Sequence, residues 1–400
     1  MNIVKHVAKY NAGREPERLA LKYSKMRASS FAFLRGSCHL FYERLADGPR
    51  LPASPLVWVC GDLHLENFGS YKGDNRQVYF DINDFDEAAL APASWDLLRM
   101  LASMDVGLTE AGLKKVQVIA LCQTFCTSYA SALAAGKSYW LERDIAQGPV
   151  RHLLDGLRQR KRAQFLGART ERQGDKRRIR IDGIKALAAT APQRHWVRAL
   201  ISNFATLQSN KSFYRVHDVA RRIAGTGSLG LERYIVLIEG KGGPDGHYLL
   251  DLKLAVPSSL SVHMPTRQPQ WVNEAARVVA MQQRIQAVPI AFLHAIQTQN
   301  ASYVLRGLQP SEDRITIATA KLKQSELGYL MDSMGKLVAW ANLRCASREG
   351  AAGTDALMAF GQRKKWQIKL LDATRECAQQ VRKDAATFNA AFDDKAFNSR

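Results

Sequence analysis

A single β-rich segment, roughly residues 213–310, interrupts a chain whose other periodic stretches are mostly helical. Within it, the apolar runs "LERYIVLIEG" and "HYLLDLKLA" are separated by the turn sequence "GGPDG". Short apolar runs bounded by glycine and proline turns predict strands that fold back on one another. A small antiparallel sheet with helices before and after it in the chain indicates an α+β fold.

The length of the chain predicts two lobes. A chain of 400 residues is too long for one ordinary hydrophobic core. We therefore assign residues 1–210 and 311–400 to a helix-rich lobe and residues 211–310 to a smaller sheet lobe.

Apolar residues that recur at every third and fourth position predict helices along most of the remaining chain. The predicted helices are residues 18–46, "ASWDLLRMLASMDV" from Ala93, "EAGLKKVQVIALCQTFCTSYASALAA", "QWVNEAARVVAMQQRIQ", 324–344 and 354–393. Strands are predicted for "SPLVWV" and for residues 77–82, whereas residues 145–190 are expected to be basic and irregular.

Composition excludes several classes of protein. Hydrophobic residues make up 46% of the chain and charged residues 24%, which is typical of a globular protein. No run of 18 apolar residues occurs, and charges break the apolar pattern near the N-terminus, so neither a membrane span nor a signal peptide is expected. We therefore expect a cytoplasmic protein. Six scattered cysteines form no CxxC pair, which argues against a zinc ribbon or a thioredoxin-type site.

The formal net charge of +20 predicts attraction to anions such as nucleotides, nucleic acid or an acidic partner. Much of this charge lies in residues 158–185. One interpretation is a solvated loop that flanks helices. The other is a contact with nucleic acid or another polyanion, although few aromatic residues for base stacking interleave the basic ones.

A cluster of polar residues follows the predicted strand "SPLVWV". Its members, continued after the next predicted strand, are Asp62, His64, Asn67, Asp81, Asp84 and Asp86. Carboxylate and amide oxygens are the hard ligands that suit Mg²⁺. An aspartate, an asparagine and a second aspartate after a strand also form the phosphoryl-transfer arrangement, in which the first aspartate, here Asp62, orients the attacking hydroxyl or accepts its proton, while the asparagine and the second aspartate hold Mg²⁺. His64 either contacts substrate or hydrogen-bonds the loop backbone, and a zinc site at His64 would lack a second histidine nearby.

The segment "GDLHLENFG" resembles the catalytic loop of the aminoglycoside phosphotransferase and choline kinase group, which has a protein-kinase-like fold. Gly61, Asp62 and Asn67 match that loop, and "DFDEAALAPASWDLLR" resembles the metal segment of the group. The register of the resemblance selects Asp84 as the metal ligand, and it implies that Asp96, twelve residues later, braces the catalytic loop.

This sequence departs from that group at two points. Cys60 replaces the histidine that usually precedes the glycine, and the interval from Asn67 to Asp84 is longer than usual. The turn "SYKGDNRQ" can absorb the additional residues as a larger hairpin.

A closer resemblance covers most of the chain. The segments "FAFLRG", "GDLHLENFG", "FDINDFDEA" and "GTGSLG" together resemble an uncharacterised bacterial family of unknown function.

The segment "GTGSLG" contributes Gly225, Gly227, Ser228 and Gly230 as candidate nucleotide-binding residues. A strand-like run follows it, as in the glycine loop that lies over the ATP phosphates in kinases, whereas in a dinucleotide-binding fold a helix would follow. The alternative is an ordinary hairpin turn.

Lys253 lies in the second predicted strand, where a charged side chain needs a partner. It matches the strand lysine that pairs with nucleotide phosphates in kinases, and Glu274, Gln282 or Gln283 of the following helix could be its partner. The alternative is a lysine on an edge strand that faces water.

In kinases the glycine loop precedes the catalytic loop, whereas here it follows. The resemblance therefore implies a circularly permuted kinase-like fold, in which the chain begins in the helix-rich C-lobe and crosses into the N-lobe at about residue 210. It implies an ATP- and Mg²⁺-dependent phosphotransferase that acts on the hydroxyl of a small molecule. The alternative is an inactive nucleotide-binding protein of this fold or a nucleic-acid-binding module that uses residues 158–185.

Overall fold

A computed structural model describes residues 1–46, 48, 51–174, 176–243, 245–264, 266–309, 314–315 and 322–397. Over these residues the chain has an α+β fold in which helices predominate and every paired strand is antiparallel. The helices are α1 (Ile3–Tyr10), α2 (Pro16–Arg27), α3 (Ser30–Gly36), α4 (Cys38–Ala46), α5 (Ala93–Glu110), α6 (Lys115–Ala134), α7 (Gly148–Gln159), α8 (Arg162–Gly167), α9 (Ala191–Ala205), α10 (Glu274–Ile285), α11 (Gln324–Arg344), α12 (Thr354–Gln362) and α13 (Lys365–Asp393).

The helical predictions are confirmed, but two of the predicted helices are interrupted. Residues 18–46 contain three helices. Ser29 adopts an extended conformation and its hydroxyl accepts the N–H of Ala32, which starts α3. The backbone leaves the helical conformation again at Ser37, between α3 and α4. Residues 354–393 contain two helices, which are separated at Arg363, where the backbone is extended (ψ 133°).

The strands form one large, six-stranded sheet and three two-stranded sheets. They are β1 (Leu56–Val59), β2 (Phe68–Lys72), β3 (Val78–Ile82), β4 (Ala89–Pro92), β5 (Thr170–Gln173), β6 (Lys176–Ile179), β7 (Ala186–Ala188), β8 (Val216–Arg222), β9 (Arg233–Ile238), β10 (Tyr248–Leu254), β11 (His294–Gln297) and β12 (Ser302–Gly307). The six-stranded sheet has the order β11-β12-β10-β9-β8-β7, and the small sheets are β1-β4, β2-β3 and β5-β6.

The basic segment contributes to the large sheet and is not irregular, so the expectation for residues 145–190 is wrong. It holds α7, α8, the β5-β6 hairpin and β7, and the sheet therefore begins upstream of the predicted boundary at residue 211. Leu166 and Ile179 are buried against one face of the sheet, whereas α9 packs on the opposite face. Apolar residues that lie between the charged ones in the sequence provide this packing, and the net charge of the segment gives no information about them.

Helix α6 is part of the main hydrophobic core. Among the residues that the structure describes, it is the one helix that is long and apolar enough to cross a membrane, and half of its most apolar window is buried. Gly335 of α11 and Gly361 of α12 pack closely on its backbone, and a Cβ at Gly335 would lie 2.5 Å from the carbonyl oxygen of Phe125. Two helices therefore pack closely against α6. A helix in a hydrophobic core can be as long and as apolar as a membrane-spanning helix, and α6 is such a core helix.

Four buried charges connect the central strands of the large sheet. Asp251 of β10 pairs with Arg233 at 2.6 Å, with Arg222 at 2.7 Å and with Arg306 at 3.7 Å. Burial alone would raise the pKa of Asp251, but the three guanidinium groups lower that pKa well below its usual range. Since successive strand residues alternate between faces, Asp251 and Lys253 lie on the same face of β10.

Replacing Asp251 by asparagine should strongly destabilise the protein. The Asp251→Asn variant leaves three buried arginines without their shared carboxylate, and breaking one side of a buried ion pair costs about 3–5 kcal/mol. Chemical denaturation measures this loss. Asp393→Asn is the control, because it removes an exposed ion pair with Arg27 and should change stability little. Equal stability of the two variants would contradict a structural role for the buried network.

Candidate functional site

Helix α5 holds the loop that connects β1 to β2. The carboxylate of Asp96 accepts the backbone N–H of Cys60 at 3.0 Å and that of Gly61 at 3.2 Å. Asp96, for which the resemblance implied a bracing role, thus contacts the loop backbone where it leaves β1. Burial raises the pKa of Asp96 to about 6, although hydrogen bonds from the loop backbone oppose this shift.

Gly61 allows the loop to turn tightly against the next segment. Its φ of +80° lies in the left-handed region, and a Cβ at this position would collide with the backbone carbonyl oxygen of Glu87. The hydroxyl of Tyr42 donates to the carbonyl oxygen of Gly61. Only glycine fits this position without a shift of the backbone.

Asp62 pairs with Arg99, a residue that the sequence did not single out. Nε and Nη2 of Arg99 both donate to Oδ1 of Asp62, the first at 2.8 Å, and Nη2 also donates to the carbonyl oxygen of Leu34 at 3.0 Å. Arg99 is fully buried, whereas the side chain of Asp62 keeps 23% of its surface exposed. Arg99 follows Asp96 by three residues, so both lie on the same face of α5, and that spacing was the available signal.

His64 is buried, and its Nδ1 accepts the backbone N–H of Glu66 at 3.1 Å. Burial and the nearby arginines lower the pKa of His64 well below its usual range, so the imidazole is neutral. Its Nε2 lies 4.0 Å from Oδ2 of Asp62. These contacts correspond to the second of the two interpretations, in which His64 supports the loop backbone.

Asn67 and Asp84 come together at the ends of β2 and β3. Nδ2 of Asn67 donates to the carbonyl oxygens of Asp62 at 3.1 Å and Asp84 at 3.4 Å, which fixes the amide plane. Its Oδ1 is buried and accepts no hydrogen bond among the described residues. A buried acceptor without a donor is costly, and a hard cation would satisfy it.

The carboxyl group of Asp84 belongs to the same cleft as Asn67. Burial alone would raise its pKa, but Lys253 and Arg306 together with other cations lower that pKa to about 2. The side chain remains 35% exposed. The residues present therefore fit a Mg²⁺ ion, for which Asn67 Oδ1 and the ionised Asp84 are suitable ligands.

The side chain of Lys253 extends from the large sheet to the acidic loop, residues 83–88, which connects β3 to β4 and contains Asp84 and Asp86. Its Nζ pairs with Asp86 and lies 3.7 Å from Oδ1 of Asp84. The side chain is only 5% exposed, so Lys253 is not an edge-strand lysine that faces water.

Glu274 does not pair with Lys253, which corrects the prediction for that residue. Glu274 opens α10 and binds Nε of Arg277 at 2.6 Å, three residues later on the same helix. Arg277 is itself held by the carbonyl oxygens of Asp86, Ala88 and Val256. The acidic neighbours of Nζ of Lys253 are therefore Asp84 and Asp86, and not the helix residue Glu274 that the sequence predicted.

The segment Gly225–Gly230 connects β8 to the antiparallel β9, so it is a hairpin loop and does not open a helix. Gly225 has a φ of +71° and Gly230 one of +87°, both in the left-handed region. Two residues of the N-terminal segment hold the loop: Arg14, between α1 and α2, donates to the carbonyl oxygen of Gly227 at 2.7 Å, and Lys22 of α2 donates to the same oxygen at 2.9 Å.

One cleft contains both halves of the candidate site. Its walls include the acidic loop residues and the glycine hairpin, together with charged and polar side chains that the sequence did not single out: Tyr10, Arg14, Arg35, Glu87 and Arg314. Arg35 belongs to the motif "FAFLRG" and pairs with Glu66, so the motif itself was a signal. Glu87 belongs to the motif "FDINDFDEA", whereas Tyr10, Arg14 and Arg314 lie far from the motifs in sequence, and only the fold brings them here.

Comparisons with known proteins identify the chain at the family level. A family described as "Uncharacterized protein conserved in bacteria (DUF2252)" matches residues 14–391. No curated protein and no solved structure matches the chain.

Placing alanine at Gly61 should destabilise the loop more than the backbone angle alone explains. The control is Gly112→Ala, since Gly112 has a similar φ of +89° but open space around its Cβ position. The control should lose about 1–2 kcal/mol, and Gly61→Ala about 1–3 kcal/mol more because of the collision. Urea denaturation of both variants measures the difference, and equal losses would contradict the close approach to Glu87.

Proposed function

This chain belongs to the bacterial protein family DUF2252, and we propose that it is an ATP- and Mg²⁺-dependent phosphotransferase. The observation that carries the proposal is the buried Oδ1 of Asn67, which accepts no hydrogen bond within the part of the chain that the structure describes, and Asn67 lines the same cleft as Asp84 and the glycine hairpin. Such an acceptor beside a carboxylate suits a hard cation, and glycine backbone in the same cleft suits phosphate.

A circularly permuted kinase-like fold accounts for the order of the motifs. The order β8, glycine hairpin, β9 and β10 with its lysine is that of a kinase N-lobe, although the acidic loop comes earlier in this chain. The permutation requires Lys253 and Asp84 to reach one nucleotide. The 3.7 Å between Nζ of Lys253 and Oδ1 of Asp84 meets that requirement.

The candidate residues have distinct roles in this proposal. Asn67 and Asp84 would hold Mg²⁺, which when bound neutralises the charge of the phosphates. Asp62 would accept the proton of the acceptor hydroxyl or orient it, and Arg99 fixes one oxygen of that carboxylate. Lys253, now paired with Asp86, would contact phosphate oxygens, and the backbone of the glycine hairpin would lie against them.

The acceptor proposed for this site is a hydroxyl group of a small molecule, in line with the resemblance to small-molecule kinases. Arg14, Arg35 and Arg314 bring positive charge to the cleft. An anionic acceptor, or the phosphates of the nucleotide, would interact favourably with these guanidinium groups.

ATP together with Mg²⁺ should raise the melting temperature of the wild-type protein. ATP alone and Mg²⁺ alone should each raise it less. A ligand at 100 times its Kd adds about 2.7 kcal/mol to the free energy of unfolding. Asp84→Asn removes one metal ligand and should abolish the gain, whereas Asp74→Asn in the exposed β2-β3 turn should keep it. A thermal-shift titration measures these effects, and the absence of any Mg²⁺-dependent gain in the wild type would count against the proposal.

Asp62→Asn should separate binding from transfer. The variant should retain the Mg²⁺-dependent stabilisation by ATP but lose about 10²–10⁴-fold in the rate of transfer, because the amide cannot take the proton of the acceptor. Consumption of γ-labelled ATP in the presence of a pool of hydroxyl-bearing metabolites measures this rate. Binding of ATP without consumption in the wild type would instead indicate an inactive nucleotide-binding protein.

A further inference from the structure

Two histidines and a glutamate meet at the end of the large sheet that is opposite the glycine hairpin. His217 lies near the start of β8, Glu239 directly follows β9, and His247 directly precedes β10. One ligand atom from each side chain lies within 4.8 Å of the other two. All three side chains are partly buried.

The strand register explains why these residues meet. Tyr248 pairs with Ile238, so Glu239 and His247 are the next opposed positions, at the turn end of the β9-β10 hairpin. The hairpin is closed beyond them by a hydrogen bond from the N–H of Lys241 to the carbonyl oxygen of Gly246 at 2.9 Å.

A β-bulge directs His217 toward the same place. The register between β8 and β9 shifts between Val216 and Asp218, which leaves His217 as the additional residue. Arg198 of α9 donates to the carbonyl oxygens of Val216 at 2.6 Å and His217 at 2.7 Å, so the bulge is held by a neighbouring helix.

The distances among the side chains suit a small cation. Nε2 of His217 lies 2.7 Å from Oε2 of Glu239, and the rings of His217 and His247 are perpendicular with centroids 4.7 Å apart. Tetrahedral zinc ligands at about 2.0–2.1 Å from the metal lie about 3.3 Å from one another. Small rotations of the three side chains would therefore bring them to coordination distance.

We propose that His217, Glu239 and His247 form a binding site for a zinc-type transition metal. Two imidazoles and one carboxylate are a known zinc ligand set, and a water would fill the fourth position. The metal would link the ends of β8, β9 and β10. This site is independent of the acidic loop, whose oxygen ligands suit Mg²⁺, so it stands or falls separately from the proposed phosphotransferase.

Arg215 is the neighbouring group that opposes a cation. Its Nη2 lies 3.3 Å from Oε2 of Glu239, and the side chain is mostly exposed. A bound metal would displace Arg215 from the carboxylate. Removing this guanidinium should therefore favour the metal.

Titration of the full-length chain, without an affinity tag, with Co²⁺ tests the proposal, because tetrahedral Co²⁺ has intense visible absorption and reports on a zinc site. We expect one equivalent to give this spectrum, with displacement by Zn²⁺ and not by Mg²⁺. His217→Ala and His247→Ala should each weaken Zn²⁺ binding at least about 100-fold, since loss of even an outer contact costs about 10–100-fold.

Three matched variants make the result specific. His195→Ala removes an exposed histidine of α9, and Asp84→Asn alters the acidic loop; both should keep the Co²⁺ spectrum. Arg215→Gln keeps all three ligands and should tighten Zn²⁺ binding, which tests the site even where a histidine variant does not fold. Absence of stoichiometric Co²⁺ binding, an unchanged spectrum in folded His217→Ala, or weaker binding in Arg215→Gln would overturn the proposal.

Discussion

One face of helix α5 determines the conformation of the loop on which the candidate site depends. Asp96 binds the backbone of the loop where it leaves β1, and Arg99, one turn later, binds the carboxylate of Asp62. Both side chains are buried, so neither contact competes with bulk water, and hydrogen bonds to ionised groups are stronger than neutral ones. The loop is therefore fixed at two points, and its Asp62 carbonyl oxygen accepts a hydrogen bond from Nδ2 of Asn67, which lines the cleft.

The local features of this chain could be predicted from its sequence because they depend on neighbouring residues. Periodic apolar positions located the main helices, and glycine and proline turns located β9 and β10. The role of Asp96 is different, because it was implied by the register of the resemblance and not by a local pattern: Gly61 and Asp96 are 35 positions apart in the chain.

The partners of buried charges could not be predicted in the same way. Glu274 is the only acid in α10, yet it pairs with Arg277 of the same helix. Lys253 pairs instead with Asp86, which is 167 positions away in the chain. The basic residues of 158–185 gave no sign that Leu166 and Ile179 would pack on the sheet. Such pairings depend on how distant segments dock, and no local pattern encodes that docking.

The net charge of the chain is not simply a surface property. Arg222, Arg233 and Arg306 surround one buried aspartate, and further arginines line the cleft. Some of the basic residues that contribute to the formal charge of +20 are therefore buried or line the candidate site. This arrangement suits an anionic ligand better than a uniformly basic surface would.

The most direct test of the central claim is a crystal structure with Mg²⁺ and a non-hydrolysable ATP analogue. The account predicts a metal ion at about 2.0–2.1 Å from Oδ1 of Asn67 and from the carboxylate of Asp84, with the phosphates against Lys253 and the glycine hairpin. A nucleotide bound elsewhere on the molecule, or a metal ion that Asn67 does not coordinate, would contradict it.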